Sequence, residues 1–72
     1  EAERHFQRAL TLFRELGNEA ELGKALARYG RFMAEQGELK AARLALEEAL
    51  SVFTQLRMKA GEEIAALLRE LG

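Results

Sequence analysis

The feature that most limits what this chain can fold into is an echo. Ala9-Leu10-Thr11-Leu12-Phe13 returns forty residues on as Ala49-Leu50-Ser51-Val52-Phe53. At the same shift Ala2 falls on Ala42, Phe6 on Leu46 and Leu16 on Leu56. Inside each copy the apolar residues recur at offsets of 3 and 4, the spacing of an amphipathic helix rather than a strand. A repeat of this period in a helical chain implies stacked helical hairpins, each burying its face against the next. Proline and cysteine are both absent, and Ala, Leu, Glu and Arg, all strong helix formers, are the commonest residues. The fold class is therefore all-α.

Four helices are expected, over about 2–16, 19–36, 38–58 and 62–71. The first carries Phe6, Ala9, Leu10, Phe13 and Leu16 on one stripe and stops at Gly17, which takes a left-handed conformation without steric cost. Asn18 then serves as N-cap, with Glu21 three residues on completing a capping box. So short a turn makes the first two helices antiparallel. The second helix aligns Leu22, Leu26, Tyr29 and Met33, with Gly30 inside the stripe and Ala25 and Phe32 beside it, facing the first helix. A glycine mid-helix costs about 1 kcal/mol relative to alanine, so Gly30 implies close packing. Gly37 ends this helix. The third shows Leu39, Ala42, Leu46, Ala49, Leu50, Phe53 and Leu56, with Arg57 and Lys59 suited to its C-terminus. Gly61 is the expected breaker, with Glu62 and Glu63 opening a fourth helix that carries Ile64, Leu67, Leu68 and Leu71; the alternative is one helix fused through Gly61. The fourth helix matches the second at an offset of 38, which places Ile64, Leu67 and Leu71 on Leu26, Tyr29 and Met33, and Leu68 on Gly30.

These residues carry a family resemblance. The pattern resembles the tetratricopeptide repeat, whose signature is Trp-x2-Leu-Gly-x2-Tyr, then Ala-x3-Phe and a second Ala. Leu26, Tyr29, Gly30 and Met33 stand at the first set of positions, Gly37 at the turn, and Ala42, Leu46 and Ala49 at the second. Thr54 occupies the place of the usual proline, and the period is about 40 rather than 34, similar to the long repeats of kinesin light chains and large bacterial signalling regulators. The resemblance implies a short solenoid. Residues 1–17 are the second helix of a preceding repeat, 18–57 one full repeat, and 58–72 a closing helix. The opening at Glu1, already in a helical pattern, is that expected of a piece of a longer protein.

Catalytic chemistry finds no constellation to work with. His5 is the only histidine and there is no cysteine, so neither a metal site nor a nucleophilic triad is expected, and no cofactor. His5 reads as a residue at the solvent edge of the first helix. Glu47-Glu48 and Glu62-Glu63 are adjacent carboxylates, which diverge on a helix and do not converge as an acid/base pair would. The glycines are scattered and form no phosphate loop. With eleven Lys or Arg against twelve Asp or Glu, the balance gives no drive toward nucleic acid, and no apolar run has the length of a membrane span. The lack of cysteine fits a cytoplasmic protein.

The resemblance implies that the first helix of each hairpin lines a groove for a partner peptide. Carried over, this places Lys24, Ala27, Arg31, Ala34 and Glu35 on the groove wall with Arg28 beside them. Three cations spaced by four and three residues suit an acidic peptide or a carboxylate terminus. The competing reading is a solvated helix face with an Arg31–Glu35 pair. The expected function is thus a non-enzymatic protein-interaction module, part of a larger regulatory or signalling protein. The alternative is a structural element that self-associates, as a homo-oligomer, through helix faces left exposed at the ends of the array.

Overall fold

The computed structural model describes residues 2–71, with side chains from residue 3 onward, and contains four helices among them: α1 (Ala2–Leu16), α2 (Glu19–Glu35), α3 (Leu39–Gln55) and α4 (Ala60–Leu71). The all-α expectation holds. Among the described residues no helix is long and apolar enough to cross a membrane. The Ala2 side chain, matched by the repeat to Ala42, lies outside the described residues, as do Glu1 and Gly72.

One backbone device ends the first three helices. The Asn18 N–H donates to the Phe13 carbonyl at 3.0 Å, and the Gly17 N–H to that of Arg14 at 3.2 Å. Twenty residues later Glu38 donates to Met33 at 2.8 Å and Gly37 to Ala34 at 3.0 Å; after twenty more, Met58 donates to Phe53 at 2.9 Å and Arg57 to Thr54 at 3.1 Å. Each is a Schellman motif, which satisfies the orphan carbonyls of a helix end through one left-handed residue. Gly17, Gly37 and Arg57 are those residues, at φ of 69°, 82° and 58°.

The third of these corrects the sequence reading. The break between α3 and α4 falls at Arg57, not Gly61, so α3 ends at Gln55 and α4 begins at Ala60. Gly61 is buried inside the first turn of α4, against Phe53 and Leu50 of α3. The fused-helix alternative fails for the same reason. The capping box is half-formed. Asn18 accepts from the Glu21 N–H at 3.4 Å, but its own N–H is already committed to Phe13, so Glu21 turns to Lys24 instead.

Each helix packs on its neighbours in sequence, most extensively α2 on α3, and the Cα trace forms a slab of 32 × 31 × 13 Å. Gly30 and Gly23 set the α2–α3 approach. A Cβ on Gly30 would lie 2.6 Å from Leu46 Cγ and 3.2 Å from the Ala42 carbonyl oxygen; one on Gly23 would lie 2.7 Å from the Phe53 ring. The two contacts run in opposite chain directions, so α2 and α3 are antiparallel. Leu46, Phe53 and Ile64 are the largest fully buried side chains. Phe6 of α1 meets Tyr29 and Phe32 of α2 at centroid distances of 5.7 and 5.6 Å, the contact expected of Phe32. Three stripe residues are not core: Leu16, Leu39 and Leu56 are exposed, each at or just beyond a helix end.

Candidate functional site

Amphipathic folding against α1 and α3 leaves one face of α2 to solvent, and the expected polar stripe lies there. Lys24, Arg28, Arg31 and Glu35 are exposed, while Ala27 and Ala34 are half-buried at its margin. The spacing of these residues spans about three turns, or roughly 16 Å along the helix. Every cation in the stripe is held loosely. Lys24 Nζ is 3.4 Å from Glu21 Oε1, one turn back on the same helix. Among the described residues Arg28 has no ion pair.

Arg31 departs from the sequence reading. Its partner is Glu63 in the first turn of α4, at 3.9 Å, and not Glu35. Both side chains are more than half exposed, so screening by water leaves this pair worth only a few tenths of a kcal/mol. The contact bridges α2 and α4, which are not sequence neighbours, and makes the start of α4 a second wall beside the stripe. Glu63 was missed because only the placement of α4 brings it there. The matching bridge on the odd-numbered helices is tighter: Arg14 of α1 grips Glu48 of α3 through two contacts of 2.8 and 3.1 Å. Between those two helices lies a shallow cavity of about 270 Å³, to which Gln7, Leu44, Leu26 and Tyr29 also contribute.

His5 is exposed on α1 beside Arg4 and Arg8. No group of three or more potential metal ligands gathers among the described residues. The site can do one kind of chemistry: offer weakly engaged cations along a rigid helix to a carboxylate, with Glu63 occupying the place of one. No protein-family model, no curated protein and no solved structure matches this chain.

Proposed function

We propose that this chain is a non-enzymatic protein-interaction module, a short tetratricopeptide-like array that works in the cytoplasm within a larger regulatory protein. Its binding face is the polar stripe of α2, and its ligand an acidic peptide. The observation that supports this most is the state of the cations. Lys24, Arg28 and Arg31 stand on one face of a well-packed helix, and the best partner any of them has is a half-exposed carboxylate at 3.4 Å. A peptide carboxylate replaces such partners at little cost, and a bidentate pair with Arg28 or Arg31 gains geometry that Glu63 at 3.9 Å does not offer. The twenty-residue recurrence of the Schellman turns and the glycine-mediated α2–α3 joint support the repeat architecture.

The test uses a fluorescent oligoglutamate decamer and anisotropy. Binding is expected to weaken with salt and to fall at least tenfold in the Lys24→Glu/Arg31→Glu double variant. Binding unchanged by the double reversal reduces the stripe to solvated surface. In the opposite direction, Glu63→Gln removes a carboxylate beside Arg31 and is expected to tighten binding by about twofold at most.

A further inference from the structure

The cavity beside the Arg14–Glu48 bridge is one end of a longer groove between α1 and α3. A second cavity, of about 660 Å³, continues it toward the start of both helices and shares Tyr29 and Ala41 with the first. The floor is apolar throughout: Phe32 and Met33 under the larger lobe, Leu10, Leu26 and Ala45 under the smaller. Glu3 of α1 and Glu38, the N-cap of α3, line the larger lobe. Both are exposed, and among the described residues neither has an ion pair.

The repeat places no helix over this groove. Forty residues on, Glu3, Gln7 and Arg14 of the α1 wall correspond to Arg43, Glu47 and Thr54. All three are exposed, although α3 is packed by α2 before it and α4 after it. A helix preceding α1 therefore leaves this wall open. The α3 wall departs from the repeat in its chemistry: where α1 has Arg4 and His5, α3 has Leu44 and Ala45. Leu44 is 66% exposed and takes no part in the core, so it makes the lip of the groove apolar where the repeat carries charge.

The charges say what fits. One end holds two unpaired carboxylates, and the other is closed by a neutralised pair. That pattern is complementary to an apolar segment with a cation at one end. Two half-buried rings, Tyr29 and Phe32, line the lobe that holds the carboxylates. A guanidinium stacks on a ring through its face and binds carboxylates through its edge, whereas an ammonium is a point charge. From Glu3 to Arg14 the groove follows roughly 16 Å of helix, the length of about five extended residues.

We propose that the α1–α3 groove docks a peptide segment of a partner protein that carries an arginine followed by apolar side chains. The guanidinium lies between Glu3 and Glu38, over Tyr29 and Phe32, and the apolar side chains run along Leu26 and Leu44. The groove is on the side of α2 away from the cationic stripe, so the two surfaces select opposite charges and do not depend on each other.

The test uses the whole chain, isotopically labelled, and a synthetic peptide Gly-Arg-Leu-Ala-Leu-Gly blocked at both ends. Amide shifts are expected to move at Gln7, Tyr29, Ala41 and Leu44 but not at Lys24 or Arg28, with a Kd of about 0.1–1 mM. Exchanging the peptide's arginine for glutamate, or both leucines for serine, weakens binding by at least roughly fivefold. The Glu3→Gln/Glu38→Gln double variant weakens it by roughly fivefold as well. Circular dichroism of that variant keeps the wild-type helicity, since the Glu38 side chain makes no capping bond. Its affinity for the oligoglutamate decamer does not fall. No binding, shifts confined to the stripe, or an affinity indifferent to the peptide's arginine or to the double variant overturns the proposal. So do groove shifts that appear on concentrating the chain without peptide, which assign the groove to a second copy.

Discussion

Gly30 shows how much one missing atom decides. The Leu46 side chain fills the space a Cβ would take, and behind it the Ala42 carbonyl stands at 3.2 Å from that point. Gly30→Ala gains about 1 kcal/mol of helix propensity, yet overpacking a filled core costs about 1–3 kcal/mol. Leu46 is fully buried and has nowhere to retreat, so the net effect is a loss of about 1 kcal/mol, read as a lower urea midpoint. Gly61 is the contrasting case. A Cβ there meets the Phe53 Cβ at 3.4 Å, an ordinary contact, so Gly61→Ala is expected to stabilise by about 0.5 kcal/mol. If Gly61 were the helix breaker, the same change would destabilise instead. Arg57 carries the strain that Gly61 was expected to relieve. At φ 58° its Cβ crowds the following carbonyl, a cost of about 1–2 kcal/mol that glycine avoids. Arg57→Gly is accordingly expected to raise stability by up to about 1 kcal/mol, measured by the same denaturation midpoint.

Between elements, two ion pairs join helices that are not sequence neighbours, Arg14–Glu48 across α1 and α3 and Arg31–Glu63 across α2 and α4. The first is two-pronged and about half exposed, which favours the upper end of a surface pair's range. A double-mutant cycle on Arg14→Ala and Glu48→Ala should return a coupling of about 0.5–1 kcal/mol, and one on Arg31 and Glu63 close to zero. Neither pair was visible in the sequence, since each depends on how one helix lies over the next but one. What was visible has a local cause. Gly17 and Gly37 announce left-handed turns because glycine is the residue such turns favour, and the apolar spacing of α2 announces which side faces inward. The third turn was hidden because arginine occupies it, and only its place, twenty residues after Gly37, marks it as the same turn. The α2 stripe was legible as exposed and cationic, whereas its neighbour Glu63 was not, being supplied by α4. Leu16, Leu39 and Leu56 misled because periodicity records which face a residue shares, not whether another helix reaches far enough to cover it.

At the scale of the molecule, packing between sequence neighbours makes stability uneven along the chain. α2 and α3 are each flanked on two sides and hold most of the buried residues, Leu22, Ala25, Leu26 and Met33 on one and Ala42, Ala45, Leu46, Ala49 and Phe53 on the other. Among the described residues α1 contributes only Leu10 to the buried core, and α4 only Gly61 and Ile64. An outer helix can therefore detach by losing one interface, while opening either inner helix breaks two and empties the core. Native-state hydrogen exchange is expected to place the slowest amides in α2 and α3, with those of α1 exchanging at least tenfold faster, a gap of about 1.4 kcal/mol. Uniform protection across all four helices would mean that the chain unfolds only as a whole, and that its outer helices are held by more than the contacts described.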